Sequence, residues 1–181
     1  MTAAVADGWA TSTGRRSAAR MAAAQTLYEM EMAGASADAV LADHLKDRWG
    51  AAAPAVQAAE EGSGKADVDT VLPGPADPVF LGAIVRGVVQ RRDDVDRMID
   101  GSLNRGWTLQ RLEVLLRAIM RSGAYELLAF SDIPARVIIS EYVNVAKAFY
   151  AGSEPALVNG VLDRLAHVLR EKEFEAPGTE T

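Results

Sequence analysis

Along most of this chain apolar residues recur three, four and seven positions apart, the spacing of one helical face rather than the alternation of a strand. Leu81, Ile84, Val85, Val88, Val95 and Ile99 fall on one such stripe and predict a single amphipathic helix over 78–101. Its outer face carries Arg91, Arg92, Asp93, Asp94 and Arg97, a mixed run that reads as a solvated surface. After a turn at Asn104–Gly106, a second stripe joins Leu112, Leu116, Ile119, Met120, Gly123 and Leu127. Pro134 suits the first turn of a helix reaching Tyr150, with Ile139, Tyr142, Val143, Ala146 and Phe149 on one face. Gly152 and Ser153 break the chain, and Val158, Val161, Leu162, Leu165, Val168 and Leu169 line a last helix.

Upstream the signals are compositional. Ser17 to Gly34 is alanine-rich and closes on a glycine suited to a helix C-terminus. Ser36 can cap a helix running to Trp49, with Val40, Leu41 and Leu45 inward. Residues 1–14 are small and polar and are expected to be disordered. Residues 50–76 hold three of the seven prolines and bury too little apolar surface to offset ordering entropy, so they read as a flexible insertion. The expectation is an all-α domain over 15–170, followed by an acidic disordered tail at 171–181.

Charge changes the picture only once it is located. The net value of −6 argues against phosphate binding. Residues 50–77 carry Glu60, Glu61, Asp67, Asp69 and Asp77 against Lys65, or −4, and the tail carries four acids against Lys172, or −3. Removing that −7 from −6 leaves the body at +1, with room for a local basic patch. Cysteine is absent, which rules out disulfides and thiolate metal sites. No apolar run approaches the roughly 20 residues of a membrane span, and Met1–Gly14 lacks the order of a secretory signal. A cytoplasmic protein without membrane association is expected.

Catalytic chemistry finds little footing. His44 and His167 are far apart and read as helix-surface residues rather than metal ligands. Gly62-Ser63-Gly64-Lys65 fails as a phosphate loop, since alanine stands at 59 and 66 where glycine and a hydroxyl are required. Asp93, Asp94, Asp96 and Asp100 alternate with arginines on a helix, where no loop wraps a cation. There is no GxSxG elbow. The reading is a non-enzyme with neither cofactor nor metal.

Two features suggest binding. Arg15, Arg16 and Arg20 open the first predicted helix, and Arg16 and Arg20, four apart, share a face. Guanidiniums match phosphate geometry, and a bound phosphate would relieve cations opposing the dipole at a helix start; an ordinary charged helix start is the other reading. Tyr125, flanked by Ala118, Ser122 and Ala129, falls opposite the core stripe of its helix. That back face either packs on another helix or docks a partner. Glu126 lies at the margin, where a buried acid needs a partner.

Taken in order, several runs resemble the C-terminal half of the NusB family: Ala124-Tyr125-Glu126-Leu127-Leu128, Ser131-Asp132-Ile133-Pro134, Ile139-Ser140-Glu141-Tyr142, Val145-Ala146-Lys147-Ala148-Phe149 and Val158-Asn159-Gly160-Val161-Leu162-Asp163. Arg15-Arg16 through Gln25-Thr26-Leu27-Tyr28 is similar to the family's first helix. The resemblance covers roughly 15–49 and 78–170. It implies a compact bundle of about seven helices in two small subdomains. It also implies an RNA-binding transcription antitermination factor that takes boxA-type RNA together with NusE and helps keep RNA polymerase processive on ribosomal RNA operons, with other Nus factors and the polymerase as indirect partners. On this resemblance the RNA surface takes in Arg15, Arg16, Arg20, Lys147, Ser153 and Leu157 in and around the loop 152–157, and Tyr28, Tyr125 and Glu126 face the protein partner. Leu157 replaces an aromatic found in some members, and Ser17 and Ala18 stand where further arginines can occur. Asn159-Gly160 is read as structural, the glycine permitting close helix approach.

Two other readings stay in view. One is a purely protein-binding helical module without intrinsic RNA affinity. The other is the NusB-like domain of RNA cytosine methyltransferases, which ranks last because no dinucleotide-type domain or catalytic cysteine follows here. For the first reading to hold, the arginine pole and the last interhelical loop must form one groove.

Overall fold

The protein is described from a computed structural model covering residues 3–43 and 76–175, with side chains from residue 13 onward. The described residues form seven α-helices and no strand: α1 (Ala3–Ala33), α2 (Ala37–Asp43), α3 (Pro78–Gln90), α4 (Arg92–Ser102), α5 (Val114–Ala129), α6 (Ala135–Phe149) and α7 (Glu154–Leu169). Short 3-10 turns lie at Leu109–Arg111 and Glu171–Glu173. The all-α expectation holds.

Helix α1 starts far upstream of Ser17, at Ala3. The stretch expected to be disordered is rich in alanine, whose helix propensity lets a helix formed downstream propagate through it. The C-terminal expectation is met, with Gly34 at φ 65° just past the helix. Ala18, Ala19, Ala22, Ala23 and Ala24 are all fully buried, so α1 approaches its neighbours through small side chains. The helix expected to reach Trp49 is seen to Asp43; Leu45, His44 and nearly all of the 50–76 insertion lie outside the described residues. Ala76, however, is buried in the core.

The single helix expected over 78–101 is two helices that meet at Arg91 (φ −115°, ψ 25°). Asp77 caps α3 by accepting the Val79 and Phe80 N–H groups at 3.0 Å each, with Pro78 in the first turn. Asp93 and Asp94 sit in the first turn of α4, where carboxylates favour a helix start. Apolar periodicity does not register that start signal. The stripe from Leu81 to Ile99 is buried across the break as expected.

Helix α5 lies at the centre and packs on α1, α3, α4, α6 and α7. Both of its faces are therefore covered. Gly87 of α3 makes this possible, since a Cβ there would fall 1.9 Å from Tyr125 Cζ. Tyr125 packs over that glycine and edge-on to Phe130 at 6.3 Å between ring centroids. The stripes overreach in two places: Phe149 is 38% and Val168 78% exposed, each in the final turn of its helix. The tail expected to be loose from residue 171 is ordered to Glu175. Arg170 donates to the Leu127 and Phe130 carbonyls at the end of α5, and Glu173 accepts the Ala135 N–H at the start of α6. Phe174 lies between His167, stacked at 4.1 Å, and the Arg136 guanidinium.

Candidate nucleic-acid interface

Helices α1 and α5 run antiparallel, because Arg20 meets Glu126 whereas Glu31 meets Arg117 and Arg121. One end of the bundle thus holds Arg15, Arg16, the start of α3 and the α5–α6 connection. The end of α6 and the start of α7 lie at the other, where the Tyr150 hydroxyl donates to Glu113. A groove of about 930 Å³ opens at the first pole, walled by Arg15, Arg16, Asp77, Val79, Ile133 and Val137 among others. The Arg15 carbonyl accepts the Asp77 N–H at 3.1 Å, which ties the start of α3 to α1. Arg15 and Arg16 are exposed, and the Arg16 guanidinium rests 5.3 Å from the centre of the buried Phe80 ring. That stacking holds the charge at the rim of the groove.

Arg20 behaves differently from its two neighbours. It is only 3% exposed, and its guanidinium holds Glu126 with Nε at 3.0 and 3.1 Å and Nη2 at 2.5 Å. Nη1 reaches Glu141 at 3.1 Å, and Ser17 Oγ donates to the same carboxylate at 2.5 Å. Burial works against the charged guanidinium, but the hydrogen bond and charge of Glu126 more than compensate and keep it protonated. Tyr142 is buried beside the pair, and burial together with the Glu126 carboxylate pushes its phenol well above the ordinary value. The residue expected to grip RNA is a clamp joining α1, α5 and α6. Glu126, expected to face a partner, is fully buried and satisfied by that clamp. Both corrections share one cause: each charge fell on a helix face that a third helix covers. The dipole argument also lapses, because Arg15 and Arg16 lie more than three turns inside α1.

The expected single groove is not formed. Val137 and Glu141 of α6 line the arginine pole, whereas Val143, Lys147 and Tyr150 line a separate hollow of about 590 Å³ with Gly152, Pro155 and Asn159. At 100° per residue, Glu141 and Lys147 project to different sides of α6. They are also separated along the axis, with about 9 Å of helical rise from Glu141 to Lys147. Ser153 is exposed ahead of α7; Leu157 is already inside that helix and half-buried against the core. Asn159 is exposed, and a Cβ at Gly160 would meet only the Arg164 side chain, at 3.8 Å, so this glycine does not mediate close helix approach. Tyr28 is half-buried at the edge of the core. Ala18, where further arginine is possible in relatives, is fully buried here.

A second ion-pair network escaped the sequence. Arg121 of α5, 3% exposed, holds Asp96 of α4 at 2.7 and 2.9 Å and Glu31 of α1 at 2.7 Å; Arg117 also pairs with Glu31. The available signal was an arginine pair, 117 and 121, on a helix whose other residues, Tyr125 and Glu126 apart, are apolar or small. Burial raises the Glu31 carboxyl, but the hydrogen bond and charge of Arg121, helped by Arg117, outweigh it and hold the group below its ordinary value. An unfolded glutamate titrates near pH 4.3. A carboxyl depressed in the folded state stabilises fully above that pH, and the contribution is lost as pH falls through the folded value. Urea unfolding of Glu31→Gln is expected to show lower stability at neutral pH and a shallower decline between about pH 5 and 3. Equal slopes for variant and parent would remove Glu31 from the acid response.

The architecture defines a class: an all-helical protein built on a central helix, with an exposed arginine pair beside a largely apolar groove and, among the described residues, its buried arginines locked in ion pairs. The sequence profile of the NusB family matches residues 17–167, and the chain belongs to that family of transcription antitermination proteins. It is 46% identical over 156 residues to the transcription antitermination protein NusB of Brucella suis (strain ATCC 23445 / NCTC 10510), covering 86% of this chain and 82% of that one. It is 42% identical over 159 residues to the Maricaulis maris (strain MCS10) protein of the same name, covering 88% and 90% respectively. Among solved structures, T. maritima NusB superposes with a TM-score of 0.67 at 25% identity over 89% of this chain and 97% of that one. The family is one of transcription factors, not enzymes. No helix among the described residues is long and apolar enough to cross a membrane.

Proposed function

We propose that this protein binds boxA-type single-stranded RNA together with NusE, in the cytoplasm, and that this assembly keeps RNA polymerase processive on ribosomal RNA operons. Family membership supports the role, and one structural observation supports the site: Arg15 and Arg16 are exposed on a rigid helix at the rim of a groove large enough for a nucleotide. In this reading Arg15 and Arg16 contact phosphates, and Arg20 serves the fold alone, through Glu126 and Glu141. Lys147 and Ser153, at the far pole, meet a different part of the strand. Tyr28 borders the surface offered to NusE.

The test is a gel shift with boxA RNA and a scrambled control, with and without NusE. Arg15→Glu combined with Arg16→Glu is expected to weaken boxA binding at least about tenfold and to lower the salt slope by about two, since two phosphate contacts are lost. The urea midpoint should change only slightly, because both side chains are exposed and only the Arg16 contact with Phe80 is lost. Wild-type affinity in the double variant would remove these arginines from the site. If wild-type protein shifts no RNA in either condition, the protein-binding module is the correct reading.

A further inference from the structure

The connection between α4 and α5 carries a feature that the arginine pole does not explain. The connection, residues 103–113, contains Arg105, Arg111 and a tryptophan against one acid, Glu113, which accepts the Tyr150 hydroxyl, in a chain whose net charge is −6. Trp107 is 56% exposed, unusual for the largest apolar side chain. Its position is held by the turn: Gly106 adopts φ 89°, a conformation that favours glycine, and the Trp107 N–H donates to the Asn104 carbonyl at 3.0 Å. The rest of the connection is equally braced. Asp100 accepts the Leu109 N–H at 2.6 Å, Arg111 donates to the Gly106 carbonyl at 3.1 Å, and Arg164 of α7 donates to the Ser102 carbonyl at 2.7 Å.

Arg111 and Arg164 spend hydrogen bonds on carbonyl oxygens, which leave their charge uncompensated. Arg105, Arg111 and Arg164 are exposed, and among the described residues none of them forms an ion pair. The nearby Asp100 is itself exposed, but its carboxylate accepts the Leu109 amide and forms no ion pair with these arginines. An exposed indole among three uncompensated guanidiniums on a braced turn suits single-stranded nucleic acid, in which bases stack on aromatic rings and phosphates pair with arginine. An acidic protein segment would use the charges but has no comparable use for the ring face.

We propose that this turn is a further RNA contact, with Trp107 stacking on a base and Arg105, Arg111 and Arg164 holding the adjacent phosphates. The proposal rests on the reading that the protein binds single-stranded RNA. The turn precedes α5, at the end of the bundle away from Arg16. From Arg16 to Glu31, the residue of α1 that meets the start of α5, the helical rise alone is about 22 Å. A strand must therefore extend beyond the first site to engage the turn.

The experiment compares a boxA RNA of about 8 nucleotides with one extended to about 20 by unstructured flanks, a length range over which stacking platforms of this kind act. Wild-type protein is expected to bind the longer RNA about tenfold more tightly. Trp107→Ala and the charge reversal Arg105→Glu with Arg111→Glu should each abolish that gain while leaving the short RNA unaffected, and Trp107→Phe should restore most of it. Arg15→Glu with Arg16→Glu should weaken both RNAs. Equal binding of the long RNA by wild type and both turn variants would overturn the proposal. So would loss of NusE binding in the turn variants with RNA binding intact, which would assign the patch to protein. If scrambled and boxA sequences bind alike but the gain still depends on Trp107, the turn stands and the boxA reading falls. No binding of either RNA by wild-type protein removes both.

Discussion

Arg20→Met is expected to cost the fold about 3–5 kcal/mol, the range for removing one partner of a buried ion pair. The loss should appear as a lower urea midpoint at unchanged slope. Methionine roughly fills the aliphatic volume but strips Glu126, fully buried, of all three Arg20 hydrogen bonds. The same change frees Glu141 from its partner on α1, although Ser17 remains bonded to it. The pair adds little beyond what a matched apolar pair would; the penalty comes from leaving one charge alone in the core. Arg20→Met combined with Glu126→Leu should therefore recover most of the stability. RNA affinity per folded molecule should be unchanged, which separates a clamp from a contact residue. A single-variant loss below about 1 kcal/mol, or an RNA defect in the fully folded variant, would contradict this account of Arg20.

Arg121→Met is expected to cost about 3 kcal/mol, at the lower end of that range. The difference lies in what remains. Glu31 keeps Arg117, with Arg92 at 3.7 Å, so Asp96 is the acid left without an ion-pair partner among the described residues, across the α4–α5 interface. Asp96 is also partly exposed, with 18% of its side-chain surface accessible, so water takes up part of the lost solvation. The defect should be local to the seat of α4. Hydrogen exchange is expected to quicken in α4 before it does in α6 and α7, and uniform quickening across all helices would mean that Arg121 supports the whole core instead.

The two networks explain why the sequence read the helices better than the site. Leu81, Ile84, Val88, Leu116, Ile119 and Leu127 were legible as core because burial of an apolar stripe depends on local periodicity. Even the family was legible, through an ordered series of short runs from Arg15 to Asp163. Charged residues gave no such guidance. Arg16 and Arg20 are four apart on one helix, yet one is exposed at the groove and the other is buried under α6. Tyr125 was correctly placed on the back of α5, but whether that back faced a partner or a helix depended on Gly87, 38 positions earlier in the chain.

By itself, then, the order of residues determined the helical class, most of the inward stripes and the absence of thiol chemistry, since each follows from spacing or composition within a few turns. The tertiary structure decided which arginines meet water, that α6 separates the arginine pole from the start of α7, and that the 78–101 segment bends at Arg91. Those outcomes depend on which helix lies over which, and a charge is sequestered or free according to a neighbour that no local pattern encodes.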